Sequence, residues 1–196
     1  MERDQVKDIF EIVKSNALFA KIGIDDFDKM LTCMEMRCIG YKKGQEIWLA
    51  GNPVQAVGLV LCGSVQIIHE DMEGRIHIIT ELSVSELFGE TFACAGIDHS
   101  PVTVMAADDC EILFLNYRKI ITTCSSACTF HTHLIENMLA LLAQKNLFLN
   151  RQIEILSKRS TRERLMLFFE TQCGASRKFT IPYNREELAA LLCVER

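Results

Sequence analysis

Residues 57–82 read VGLVLCGSVQIIHEDMEGRIHIITEL. Two runs rich in valine and isoleucine flank the polar turn Asp71-Met72-Glu73-Gly74, and a further break falls at Gly63. Short β-branched runs bounded by glycine and aspartate predict strands joined by a hairpin. The same punctuation continues outward, with Gly44 and Gly51 marking earlier corners and β-type runs extending from Cys33 to about Asn116. Several short strands with regular glycine corners predict an all-β barrel or roll.

The flanks read differently. Before Cys33, Ile9, Ile12 and Val13, then Phe27, Met30 and Leu31, recur at helical spacing, interrupted by Gly23, so short helices are expected. From Ser125 to Leu156 there is neither glycine nor proline, and one long helix is expected. With Leu139 at heptad position a, Leu142 (d), Asn146 (a), Leu149 (d), Ile153 (a) and Leu156 (d) follow without a break, and Ile135 is the d position upstream. Leucine at the later d positions with one polar a residue suits a parallel two-stranded coiled coil. A helix buried wholly in its own domain is the alternative. Leu134, Met138, Leu141 and Phe148 form a second apolar face for that purpose, and both uses are expected together.

Downstream, Ser157-Lys158-Arg159-Ser160 is the expected linker, and Ser160 with Glu163 forms a capping box ahead of the helix RERLMLFFETQC, which Gly174 ends. KFTIPY is expected as a short strand, and Asn184 with Glu187 opens a last helix, LAALL.

Composition narrows the function. In 196 residues, 49% hydrophobic and 24% charged, there is no apolar run long enough to span a membrane, and the N-terminus MERDQVKD is too charged for a secretory signal. A cytoplasmic protein without membrane association is expected. Nine cysteines at 33, 38, 62, 94, 110, 124, 128, 173 and 193 form an odd set with no CxxC pair, which suits a reducing compartment. Residues 1–150 carry 12 Lys and Arg against 20 Asp and Glu, net −8, whereas residues 151–196 carry 9 against 6, net +3. A polyanion is therefore expected at the C-terminal end. No G-x-S-x-G, H-E-x-x-H or phosphate-loop signature occurs, and Asp108, Asp109 and Glu111 read as a solvated turn, so an enzyme is not expected.

The order Gly44, Gly51, Gly63, Gly74, Phe88-Gly89-Glu90, then a heptad helix, then R-E-E-L-A-x-x-L at 185–192 resembles the Crp/Fnr superfamily of bacterial transcription regulators over nearly the whole chain. The resemblance implies an α+β protein in three parts. These are an N-terminal double-stranded, jelly-roll-like β-roll sensor domain (1–124), a dimerisation helix (125–157) and a partial C-terminal winged helix-turn-helix (158–196). It implies a homodimer that binds a small-molecule effector in the roll and reads a palindromic DNA site. The recognition helix would start near Glu195 and Arg196, its N-terminal residues touching base edges. Because the chain reaches Arg196 there, truncation within the DNA-binding domain is expected, and specific DNA binding is expected only of the full-length protein.

In the cyclic-nucleotide binders of that superfamily, the segment matching residues 88–102 is a phosphate cassette. Gly89 and Glu90 are retained, but the Arg-Ser pair that grips the phosphate falls on Ser100-Pro101. A buried phosphate needs a fixed cation or several N–H donors, and proline removes one donor. The neighbouring His99 is a poor permanent cation, since imidazole titrates near neutrality. The effector is therefore expected to be a small organic anion rather than cyclic AMP, held by Phe88, Gly89, Glu90, His99, Ser100, Pro101 and Val102. Lys145 and Asn146 occupy the long-helix positions that face the base in relatives. Gly58, where an aromatic is usual, and Ser85-Glu86, in place of Gly-Asp, are departures at the rim.

Alternatives remain open at this level. Cys124, Cys128 and His131 share a helix face and suggest a metal or redox site, although small buried thiols at a helix start are commonplace. A haem would need an axial ligand such as His77 or Cys94, yet His77 alternates with Ile76 and Ile78 and is expected to point outward. No cysteine precedes Cys33, which disfavours an N-terminal iron–sulfur cluster. No metal or cofactor is expected. The competing reading is a cyclic-nucleotide-domain-like small-molecule or redox/metal sensor module acting through protein partners.

Overall fold

The computed structural model describes residues 3–71, 73–121, 128–172, 181 and 184–194. They form two compact units, Met1–Leu141 and Leu142–Arg196.

The first unit is a β-roll of two four-stranded antiparallel sheets. Strands β1 (Arg37–Tyr41), β8 (Cys110–Asn116), β3 (Ala56–Cys62) and β6 (Leu87–Phe88) pair in that order. Strands β2 (Glu46–Trp48), β7 (Thr103–Ala106), β4 (Val65–Glu70) and β5 (Ile76–Leu82) form the second sheet. Between the sheets lie Val60, Val65, Phe88, Val104, Ala106 and Ile112, all buried. Each valine, isoleucine or phenylalanine among them contributes about 1.5–3 kcal/mol when withdrawn from water.

The expected corners are in place, since Gly44, Gly51, Gly63 and Gly74 all have positive φ. Within 57–82 the part of the first run before Gly63 is β3 of the other sheet, and the hairpin is β4 and β5, whose turn Asp71 organises. One carboxylate oxygen accepts from the Glu73 and Arg75 amides (2.9 and 3.0 Å), the other from Arg75 Nε (2.8 Å).

Strand β3 reads as a continuous apolar run because it is covered on both faces. Between sheets it meets the roll interior; on the other face α1 (Arg3–Val13), α3 (Glu90–Cys94) and α4 (Tyr117–Ile121) pack against it. Helix α2 (Ile24–Cys33) packs on α1, and Phe27 at its centre meets the rings of Phe10 and Phe19 at 5.4 and 5.8 Å. Helices α1 and α2 flank a 3-10 turn, Ala17–Phe19, which Asn16 caps through Leu18 N–H (2.9 Å). The two helices α3 and α4 are not foreshadowed by any periodicity.

The long helix is α5 (Thr129–Leu156). The earlier start expected at Ser125 lies in 122–127, outside the described residues. Leu134, Met138 and Leu141 of its second apolar face are buried, but Phe148 is exposed. Asn137, on the same buried face, donates from Nδ2 to the Leu18 and Ala20 carbonyls (2.9 and 2.7 Å), tying α5 to the 3-10 turn. On the heptad seam Leu139, Leu149 and Ile153 are exposed by 58–64%, Leu142 and Leu156 partly so.

In the second unit, α6 (Thr161–Gln172) and α7 (Arg185–Leu191) join the end of α5 around buried Ile155, Phe168 and Leu192. The capping box forms as expected: Glu163 N–H donates to Ser160 Oγ (3.2 Å) and Ser160 N–H to Glu163 Oε2 (3.0 Å). Asn184 caps α7 through Glu186 N–H (2.8 Å). Arg164 donates to the carbonyls of Lys158, Leu192 and Cys193 (2.9–3.0 Å), holding the linker and the α7 end to α6. Of the expected strand 178–183 only Ile181 is described, and it is not in a strand; the end of α6 expected at Gly174 falls outside the described residues, as do Glu195 and Arg196.

Candidate functional site

Strand β6 delivers the cassette. Phe88 is buried between Trp48 and Phe114, with ring centroids 6.2 and 6.3 Å away. Its ring occupies the space a side chain on Gly58 would need: a Cβ there would stand 2.1 Å from the ring tip. The glycine at 58 and the phenylalanine at 88 are therefore one packing solution.

Gly89 then turns the chain into α3 with φ +82°, and a Cβ at this position would lie 2.4 Å from the Trp48 ring. Only glycine fits both demands. Glu90 follows, 4% exposed, its carboxylate accepting from Thr91 Oγ1 at 3.1 Å. Ser85, one of the rim departures, has φ +68° and is held by Asn16, whose Nδ2 donates to the Ser85 carbonyl (2.6 Å), and by a hydroxyl contact with Ser15 (2.8 Å).

After α3 the chain returns along residues 51–54. Val54 N–H donates to the Asp98 carbonyl (3.0 Å), Ser100 N–H to Asn52 (2.9 Å) and Gly51 N–H to Ser100 (2.8 Å). Ser100 is buried, its hydroxyl donating to the Val102 carbonyl (2.6 Å) and accepting from Val102 N–H (3.3 Å). The amides of Ser100 and Val102 and the Ser100 hydroxyl are thus committed to protein partners, and Pro101 has no N–H. His99 and Pro101 are exposed on this loop, while Val102 is buried.

Fold and sequence thus bring Phe88, Gly89, Glu90, His99, Ser100, Pro101 and Val102 together in one segment of the roll. Lys145 and Asn146 belong to the second unit, both exposed on α5. Asn146 Oδ1 accepts from Asn150 Nδ2 at 2.7 Å.

His131 is 1% exposed, and its Nε2 lies 3.8 Å from Cys33 Sγ, a pair the sequence did not suggest. Burial pushes its imidazole below the ordinary value, the Cys128 carbonyl working the other way. Cys124 lies outside the described residues, and no group of three or more His, Cys, Asp or Glu is placed to hold a metal among the described ones. His77 points outward, 3.3 Å from Asp71 Oδ2, and Cys94 is half-buried with its thiol pushed up by burial and by Glu90. Of the three acidic residues read as a solvated turn, Asp108 and Asp109 pair with Lys43 and Lys42, but Glu111 is a residue of β8.

Two clefts of about 300 Å³ open elsewhere on the roll. One is framed by Glu35, Arg37, Tyr41, Gln55, Phe114 and Asn116, the other by Gln5, Asp8, Cys38, Cys62 and Glu111. Trp48, Asn137 and Arg164 all matter structurally and were missed. Only Asn137 left a legible signal, as a polar residue on the stripe Leu134, Met138, Leu141.

Comparison with known proteins places these observations. Residues 39–127 match the cyclic nucleotide-binding domain family. The cyclic AMP receptor protein of Thermus thermophilus is 27% identical over 186 residues, 94% of this chain and 82% of that protein. The sensor domain of the transcriptional regulator DNR from Pseudomonas aeruginosa superposes with a TM-score of 0.62 at 18% identity, covering 80% of this chain and 99% of that one. The Thermus thermophilus catabolite activator protein gives 0.56 at 21%, covering 91% and 81%. At these identities the solved structures establish the shared fold.

Proposed function

We propose that this chain, a cyclic nucleotide-binding-domain protein related to Crp/Fnr-type regulators, is the effector-responsive part of a homodimeric, cytoplasmic transcription regulator whose effector is a small organic anion rather than cyclic AMP. The observation that carries the effector assignment is the state of residues 98–102. The Gly89 turn and buried Glu90 are kept, yet the amides and hydroxyl that would meet a phosphate are committed to Asn52 and Val102, and no arginine stands beside them. Phosphate held without a fixed cation or free donors is disfavoured.

The mechanism follows from the same residues. An anion seated by the cassette, with Lys145 and Asn146 of α5 contributing, biases the arrangement of the paired α5 helices. Dimerisation runs along Ile135, Leu139, Leu142, Asn146, Leu149, Ile153 and Leu156, a seam supported by its exposure in the single chain. Ser157–Ser160 carries the change to a winged helix-turn-helix, in which Glu195 and Arg196 open the helix that reads DNA. The excess of basic residues after 150 supports a polyanion partner at that end. Such coupling operates at about 1–3 kcal/mol and requires that the effector bind one arrangement more tightly.

Thermal unfolding with cyclic AMP, cyclic GMP and a panel of small carboxylates tests the assignment. A ligand at 100 times its Kd stabilises by about 2.7 kcal/mol, a shift of several degrees. A carboxylate is expected to give that shift and the cyclic nucleotides none; the reverse result refutes the reading.

A further inference from the structure

The cleft framed by β1, β8 and the start of β3 carries uncommitted chemistry. Arg37 and Tyr41 lie on the same face of β1, and Arg37 pairs in register with Phe114 on β8. The Arg37 guanidinium makes no ion pair, and the Tyr41 hydroxyl and Gln55 amide make no hydrogen bond among the described residues. At about 300 Å³ the cleft is at the lower end of the range of small-molecule sites, ~300–1,000 Å³.

The one carboxylate at the rim is already neutralised. Glu35 accepts from Lys119 Nζ at 2.9 Å and from Asn116 Nδ2 at 3.4 Å, and Lys119 holds its carboxyl below the usual range. Glu35 follows α2 with φ +51°, where glycine is the common choice, so the backbone accepts strain at the position that carries this side chain. Arg37 is the weakest of the groups that lower the Glu35 carboxyl and makes no ion pair with it among the described residues. Beside Arg37 stand two aromatic rings, Tyr41 and Phe114, with centroids 6.5 Å apart.

We propose that this cleft is a second binding site, distinct from residues 88–102, for a small carboxylate with a planar apolar body. The guanidinium fork matches a carboxylate in geometry and charge. Tyr41 and Phe114 supply the apolar wall, and Gln55 and the Tyr41 hydroxyl supply further polar contacts. A row of rings, Tyr41, Phe114, Phe88 and Trp48, joins the cleft to Gly89.

Calorimetric titration of the chain with benzoate, benzamide and acetate tests this, run in the wild type and in Lys145→Ala so that binding at the effector position is told apart. Saturable benzoate binding is expected in both backgrounds, weakened at least about tenfold by Arg37→Gln and less by Arg37→Lys. Benzamide, lacking the charge, and acetate, lacking the planar body, are expected to bind at least about tenfold more weakly than benzoate. Circular dichroism confirms that the variants fold. Absence of saturable benzoate binding overturns the proposal. So does an unchanged affinity in Arg37→Gln, or a loss that follows Lys145→Ala alone.

Discussion

At Gly58 the missing side chain is the structural content. The Phe88 ring, wedged between Trp48 and Phe114, leaves no room for even one methyl group. Gly58→Ala is expected to destabilise the roll by about 1–3 kcal/mol, as overpacking does, and much of that cost should be recovered in a Phe88→Leu background. Urea denaturation of the two single variants and the double measures it; additive losses would contradict the account. The glycine was noticeable in the sequence as a departure from its relatives, but its cause sits thirty residues away on β6 and becomes visible only through the strand pairing Gly58 to Phe88.

His131 is the second residue-scale case. Burial lowers its folded-state pKa, so the unfolded chain binds the extra proton first. Its contribution to stability is present above the ordinary imidazole value of about 6.5 and is lost as pH falls through and below it. Stability measured by urea between pH 7.5 and 5.5 should fall more steeply for the wild type than for His131→Gln. Parallel curves would show that the imidazole titrates alike in both states.

At the scale of the element, α5 has two faces with different fates. Leu134, Met138 and Leu141 are buried, while the heptad seam stays open in the single chain. That division was legible because 3.5-residue spacing and a separate apolar stripe can both be counted along an uninterrupted helix. Phe148 was misassigned for the same reason: counting gives the face but not how far along the helix the neighbouring surface extends. The capping box at Ser160 was legible as well, since both partners are local. The turns that place Arg164 on the Leu192 and Cys193 carbonyls were not, because a long-range side-chain cap leaves no periodic trace. Asn146 is the one polar a position of the heptad seam, and, if the proposed dimer forms along it, Asn146→Leu is expected to tighten association at least about tenfold in sedimentation equilibrium. An unchanged association constant would remove α5 from the interface.

For the whole molecule, the β-roll was readable from glycine corners and short β-branched runs, which are local and dictated by backbone geometry, whereas α3 and α4 were not and the winged helix-turn-helix stays a proposal. The ligand was not, because recognition depends on which donors remain uncommitted after folding. Ser100 illustrates the difference: as a residue type it could grip a phosphate, yet in place its hydroxyl and amide are consumed by Val102 and Asn52. On the proposed reading, the segment keeps the Gly89 turn and the buried Glu90 while lacking a grip for a phosphate. Calorimetric titration with cyclic AMP addresses this claim directly. No saturable heat is expected up to ~1 mM, the level at which binding amounts to about 4 kcal/mol. A dissociation constant near 1 μM, about 8 kcal/mol, would show that other groups replace the absent arginine and would contradict the account.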